Sequence, residues 1–172
     1  MSNPVQEFFD QLDNAIEESS KPLLIETNSN PEKSERIMGV LNHLKDNNAT
    51  TVCNIGTSDP TNMFGVFLDD GRRAMPNWSR KFVEVCNNNK DKDCLMIFDD
   101  MDKTSKEAIS LFIHEVINND HDLYPLPTNS KLVCLVDNKE NISDNTIENS
   151  ALSNFTIVNR DGVVSDYSDF VK

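Results

Sequence analysis

A lysine followed by a serine, Lys33-Ser34, occupies the place where a phosphate-binding loop would hold its ligand. The pair comes after an apolar, strand-like run, Leu23–Glu26, and before apolar residues at helical spacing. In the loop pattern G-x-x-x-x-G-K-[ST], backbone N–H groups and the lysine surround phosphate oxygens. Here Thr27 and Glu32 stand at the two glycine positions. The spacing therefore points to phosphate chemistry, and the missing glycines indicate that this chemistry is altered or lost.

Three residues of this loop oppose phosphate binding. Glycines reach positive φ and let the backbone approach an anion, and Thr27 and Glu32 make that geometry costly. Pro31 has no N–H to donate, and the Glu32 carboxylate would repel phosphate oxygens. The same segment equally fits an ordinary helix start, with Asn30 as N-cap, Pro31 at the first helical position and Glu32 at the positive end of the helix dipole. The two alternatives are a lost site and a weak or rearranged one.

Composition narrows the classes of partner. The chain has 172 residues, 37% of them hydrophobic, and a net charge of −13. This length suits one domain, predicted at 21–160, with an N-terminal amphipathic helix at 1–20 and a tail at 161–172. The negative charge would repel a nucleic-acid backbone, and it either confers solubility alone or attracts a basic protein partner. No apolar run reaches the roughly 20 residues of a membrane span, and we expect a cytoplasmic protein with no membrane contact.

Strand-like and helix-like patterns alternate along the chain. The predicted strands are Leu23–Glu26, Thr50–Asn54, Cys94–Phe98, Lys131–Val136 and Phe155–Val158. Asp70-Gly71 after an apolar run predicts a β-hairpin, inserted before a helix that opens near Pro76. Thr104 and Glu107 match a capping box at the start of a later helix. The alternation predicts an α/β fold with a doubly wound, five-stranded parallel sheet, whose ligand site would lie at the carboxyl ends of the strands.

The order of these segments resembles the core domain of AAA+ ATPases, within the P-loop NTPases. The segment Thr57-Ser58-Asp59-Pro60-Thr61-Asn62-Met63-Phe64-Gly65 is similar to the T-x-D-P-x-D-L-x-G segment of the MoxR and dynein-related (midasin-like) group. The helix led by Pro76-Asn77-Trp78 and the acidic strand end Asp99-Asp100 follow in the family's order. The similarity covers roughly Lys21 to Arg160. It implies the P-loop NTPase type of sheet, here without the helical lid domain that follows the core in the family.

The resemblance also implies roles for individual residues. Lys33 would neutralise the β- and γ-phosphates of ATP, and Ser34 would hold Mg²⁺. Asp99 would be the Walker B carboxylate that binds the metal through water. Asp100 stands where the family has a catalytic glutamate, and Asn138 stands at the sensor position that helps to place the attacking water. ATP and Mg²⁺ would be the cofactors if the altered loop still binds.

Departures from the family pattern affect the same chemistry. Asp100 is one methylene shorter than glutamate, and misplacing a reacting water by about 1 Å can lower a rate about a hundredfold. Asn154 replaces the arginine that would act in a neighbouring subunit, and an amide cannot supply that charge. We therefore expect impaired or absent ATP hydrolysis and a role in protein contacts, with an AAA+ assembly or a basic protein as partner. The alternative is a divergent ATP-binding ATPase whose site a partner chain completes.

Overall fold

The computed structural model of the chain describes most of the predicted core. The described residues are 4–18, 21–26, 42–46, 48–57, 59–118, 124, 126–136, 155–158 and 164–165. The loop positions Thr27, Asn30, Pro31, Glu32, Lys33 and Ser34 lie outside these ranges, as do Asn138 and Asn154. Among the described helices, none combines the length and apolarity needed to cross a membrane.

Helices and strands alternate as the sequence pattern predicts. The helices are α1 (Pro4–Glu18), α2 (42–46), α3 (Pro60–Phe64), α4 (Asn77–Asn88) and α5 (Lys106–Phe112). The strands are β1 (Leu23–Glu26), β2 (Ala49–Asn54), β3 (Val66–Phe67), β4 (Arg73–Ala74), β5 (Cys94–Asp99), β6 (Ser130–Val136), β7 (Thr156–Val158) and β8 (Val164–Ser165). A 3₁₀ turn spans Met101–Lys103, and a π-turn, Ile113–Ile117, continues α5.

The main sheet has the strand order β2-β5-β6-β1-β7-β8. The first five of these strands are parallel to their neighbours, so the predicted α/β fold with a five-stranded parallel sheet is confirmed. This order is compatible with a P-loop-like α/β fold. A sixth strand, β8, pairs antiparallel with β7 and lies in the segment that we had predicted as a tail.

Apolar side chains cover both faces of the parallel sheet. Every side chain from Cys94 to Phe98 on the inner strand β5 is fully buried, as expected for a continuous apolar run. On one face, α4 and α5 contribute Trp78 and Phe112 to the larger core. On the other face, Leu12 of α1 and Leu44 of α2 pack in a second core. The carboxyl edge of the sheet, where the polar residues follow, is thereby held between two packed layers.

The inserted hairpin is confirmed. Strands β3 and β4 pair antiparallel, and the amide of Leu68 donates to the carbonyl of Arg72 at 2.7 Å. Gly65 precedes the hairpin at φ 92°, and a Cβ built on it would lie 2.0 Å from the carbonyl oxygen of Ala74. Only glycine lets the two backbones approach so closely. The base of the hairpin is therefore fixed by a close backbone contact.

The helices differ from the sequence prediction at two places. The N-cap of α5 is Ser105, whose hydroxyl accepts a hydrogen bond from the amide of Ala108 at 3.2 Å. The predicted capping box had Thr104 as the cap, and that assignment is wrong by one residue because either hydroxyl can cap and the preceding turn selects Ser105. The short helix α3, capped by Asp59, was not predicted as a helix.

Candidate functional site

Acidic and amide side chains meet at the carboxyl edge of the parallel sheet. Strand β5 ends at Asp99, which pairs in register with Asn54 at the end of β2. Strands β1 and β6 end at the same edge, where Glu26 pairs with Val136. Chain segments that carry Lys33, Ser34 and Asn138 leave from those two strand ends, although these three residues themselves lie outside the described ranges.

The backbone at Asp100 bends sharply as the strand ends. Asp100 has φ 56° and ψ 37°, and it is the one non-glycine residue with positive φ in the part of the chain that the structure describes. Its amide donates to the carboxylate oxygen Oδ1 of Asp99 at 2.8 Å, and its carbonyl accepts from the amide of Lys103 at 3.0 Å. Aspartate tolerates this left-handed conformation better than most residues because its short polar side chain bonds locally.

Asn54 holds the carboxylate of Asp100. The Asn54 amide nitrogen Nδ2 donates to Oδ2 of Asp100 at 2.9 Å. The other end of the Asn54 side chain accepts from the backbone amide of Thr57 at 3.1 Å and from the Thr57 hydroxyl at 3.3 Å. The Asn54 amide thus ties the turn after β2 to the acidic end of β5, and it sets the direction in which the Asp100 carboxylate points.

Gly56 keeps this turn close to Asp100. A Cβ placed on Gly56 would lie 2.8 Å from the Cβ of Asp100 and 3.0 Å from its carbonyl oxygen. Since real side chains essentially never approach so closely, any larger residue would push the turn away from the acidic strand end. The absence of a side chain at Gly56 therefore permits the hydrogen bond between Asn54 and Asp100.

The two carboxylates of the acidic pair have different surroundings. Asp99 supplies a half-buried carboxylate, and carboxylate oxygens are the ligands that Mg²⁺ prefers in proteins. Asp100 supplies a second carboxylate, which could act as a base for water but is oriented by an amide donor. Of the residues predicted to contact ATP or Mg²⁺, the described ranges contain Asp99 alone. That residue fits the metal by its chemistry.

Sequence reasoning missed Asn54. A polar residue at the end of a strand is a weak signal until the neighbouring strand is known, since only the pairing of β2 with β5 places Asn54 beside the acidic pair. Trp78, near the start of α4, is a buried core residue, and its ring nitrogen donates to the carbonyl of Met63 at 2.9 Å.

A second polar cluster connects the hairpin to the π-turn that follows α5, and sequence reasoning missed this cluster as well. Arg73 on β4 donates to Oε2 of Glu115 at 2.7 Å and to the Tyr124 hydroxyl at 3.2 Å. The hydrogen bond to Glu115 raises the pKa of the Arg73 guanidinium, and burial raises the pKa of Tyr124. The same guanidinium lies 4.5 Å from the ring centre of Phe67. This cluster fixes the direction of the hairpin.

Comparison with known proteins does not extend these assignments. A scan against protein families found none that matches the chain, and a search of curated proteins found no match either.

Proposed function

We propose that this chain is a degenerate AAA+-like domain with impaired or absent ATP hydrolysis, which acts as a protein-interaction or regulatory module. Support comes from a parallel sheet that is compatible with a P-loop-like fold and from the acidic pair at the end of strand β5. The altered loop around Lys33-Ser34 argues in the same direction, because it lacks the glycines of a working phosphate loop.

The main structural support for this proposal is the hydrogen bond between Asn54 and Asp100. A water-activating carboxylate must reach the attacking water, and misplacement by about 1 Å can cost about a hundredfold in rate. Asp100 is shorter than glutamate, its backbone is left-handed, and one of its oxygens already accepts from Asn54. A carboxylate with this reach and orientation is poorly suited to hydrolysis in the usual frame.

Exposed apolar side chains on the hairpin support the protein-interaction role. Val66, Phe67 and Leu68 are exposed, and Phe67 has 70% of its surface in contact with solvent. A rigid hairpin that carries an exposed aromatic ring is typical of a contact surface. With a net charge of −13, the partner would be a basic protein or another AAA+ assembly, and neither nucleic acid nor a membrane is expected.

ATP turnover by the purified chain tests the proposal. We expect no phosphate release above that of a heat-denatured sample, with or without Mg²⁺. Lys33→Ala should leave the protein's activity in cells unchanged, with Lys92→Ala, an exposed substitution in the loop before β5, as the matched control. Turnover that Lys33→Ala abolishes while Lys92→Ala preserves it would overturn the proposal.

The position of Asp99 favours a second candidate, a divergent ATP-binding ATPase that a partner chain completes. Asp99 ends strand β5 at the edge of the sheet from which the segments with Lys33 and Asn138 depart. Isothermal titration with ATP and Mg²⁺ separates the candidates. Micromolar affinity that Lys33→Ala and Asp99→Ala both abolish would favour the ATPase, provided that the exposed control Asp91→Ala binds like the wild type.

A further inference from the structure

Strand β2 forms one end of the main sheet. It pairs with β5 along one side over all six of its residues. In the part of the chain that the structure describes, no strand pairs with its other side. Backbone groups on that side therefore form an open edge, to which a further strand could add.

The hydrogen bond from Ile55 identifies which residues face the open edge. The amide of Ile55 donates to the carbonyl of Asp99 at 2.9 Å, so its backbone faces β5. Since successive residues of a strand direct their N–H and C=O groups to opposite sides, Thr51 and Cys53 also face β5. Thr50 and Val52 direct theirs away from the sheet. Among the described residues, none donates to or accepts from these outward groups.

Strand β2 itself lacks the sequence features that commonly prevent strand addition. Proteins protect edge strands with lysine, proline, bulges or a covering helix. The sequence of β2, Ala-Thr-Thr-Val-Cys-Asn, contains neither charge nor proline, and its register with β5 has no bulge. The side chain of Val52 is 40% exposed beside the open backbone groups. The edge therefore offers both hydrogen bonds and an apolar contact.

The charges around β2 and on the whole protein indicate which kind of chain segment could pair with the open edge. The strand itself is neutral. Before it, the exposed residues Lys45 and Asp46 carry opposite charges, and beside its last residue stand Asp99 and Asp100, with Lys103 next to the same turn. A second copy of the chain would bring another net charge of −13 to the same place and would be repelled. A basic segment would instead be attracted by the net negative charge of the protein.

We propose that the open edge of β2 binds an extended, basic segment of a partner protein by strand addition. The segment would pair with the outward groups of Thr50 and Val52, rest an apolar side chain on Val52 and direct a lysine or arginine residue toward the acidic residues Asp99 and Asp100. This inference rests on the proposed role as a protein-interaction module and names the surface and the chemistry of the partner.

Amide hydrogen exchange on the full chain tests this inference residue by residue. In the free protein we expect fast exchange at Thr50 and Val52 and slow exchange at Thr51 and Cys53, whose amides bond to β5. The probe is a short capped peptide in which lysine alternates with valine, and its control has glutamate in place of lysine. The lysine peptide should slow exchange at Thr50 and Val52 at least about tenfold, less so at high salt, and the glutamate peptide should not.

Two substitutions at Val52 measure how much its backbone N–H contributes to binding of the lysine peptide. Val52→Pro removes only an outward N–H, which edge strands tolerate, whereas Val52→Thr retains it. We expect the proline variant to bind the lysine peptide about tenfold more weakly than the threonine variant. If Val52→Pro does not fold, the exchange pattern of the wild type decides by itself.

Three outcomes would overturn the inference: no protection by the lysine peptide, equal protection by both peptides, or protection at Thr50 and Val52 that appears without peptide as protein concentration rises. The last would indicate self-association. Phosphate release measured on the same sample keeps the two proposals apart. If the protein hydrolyses ATP and also binds the peptide, the proposed function is wrong and strand addition stands. If it does neither, strand addition is wrong and the proposed function stands.

Discussion

Arg73 on the hairpin and Glu115 on the π-turn form a largely buried ion pair. Oε2 of Glu115 lies 2.7 Å from Nη1 of Arg73, and the two side chains are only 15% and 12% exposed. Removing one member of such a pair leaves an uncompensated charge, which costs about 3 kcal/mol. We therefore expect Glu115→Gln to lower the free energy of unfolding by about that amount, measured by urea denaturation.

A second ion pair in the hairpin provides the matched control. Asp70 and Arg72 are in contact at 2.6 Å, but their side chains are 49% and 78% exposed. Asp70→Asn should cost less than about 1 kcal/mol, since exposed pairs contribute little. The double variant Arg73→Met/Glu115→Leu should cost less than Glu115→Gln, because it leaves neither charge buried. Equal losses in the free energy of unfolding for Glu115→Gln and Asp70→Asn would show that the buried ion pair matters no more for stability than the exposed one.

Two glycines of the hairpin should respond very differently to the same substitution. Gly65 and Gly71 both have positive φ, at 92° and 86°. A Cβ on Gly65 would collide with the Ala74 carbonyl oxygen at 2.0 Å, whereas a Cβ on Gly71 meets nothing within 4 Å. Gly71→Ala should therefore show only backbone strain, about 1 kcal/mol. Gly65→Ala should cost at least about 3 kcal/mol, and thermal unfolding that ranks the two variants the other way would contradict this account.

Replacing Asn54 by aspartate should make stability depend on pH. Asn54→Asp places a second carboxylate against Asp100, where the wild type has a hydrogen bond of 2.9 Å. Like charges raise the pKa of a carboxyl group in the folded state, so the variant gains stability as the pH falls and loses it as the pH rises through that pKa. Urea denaturation should show a deficit of about 2 kcal/mol near neutral pH that narrows toward about pH 4. Asn54→Ala, which lacks the carboxylate, should show no such narrowing.

The sheet could be predicted from sequence because its signal is local. Continuous apolar runs such as Cys94–Phe98 indicate strands buried on both faces, and the structure buries all five of those side chains. The acidic end of β5 could be located for the same reason, since a polar pair directly follows a buried run. Sequence thus indicated where to expect chemistry, and Asp99 and Asp100 do lie at the carboxyl edge of the sheet.

Contacts between distant residues could not be predicted in the same way. Arg73 and Glu115 are 42 residues apart, and Asn54 and Asp100 are 46 apart. Each pair meets only because of the order of strands and the direction of the hairpin, which no local pattern encodes. The shift of the helix cap from Thr104 to Ser105 has a different cause, because adjacent hydroxyl residues satisfy the same local rule.

Buried thiols should make the protein less stable in alkali. Burial raises the pKa of Cys86 from its ordinary value of 9.0 to about 12. Between these two values the unfolded chain releases the thiol proton while the folded chain retains it, so the unfolded state is favoured increasingly as the pH rises. The contribution of the buried Cys86 thiol to the free energy of unfolding is complete below about pH 9 and is lost toward about pH 12. Guanidinium unfolding should show a steeper alkaline decline in the wild type than in Cys86→Ala, and parallel declines would contradict the assignment.

Thr51 offers a substitution that should stabilise the fold. Its hydroxyl oxygen is buried and has no hydrogen-bond partner among the described residues. Valine has nearly the same shape and suits a strand, so Thr51→Val removes an unsatisfied polar group without opening a cavity. We expect a gain of about 1 kcal/mol in the free energy of unfolding. Thr50→Val, on the neighbouring position of β2, is the control and should change stability by less than about 0.5 kcal/mol. A loss of stability in Thr51→Val would mean that the hydroxyl does find a partner in solution, such as a bound water, and that its burial is already compensated.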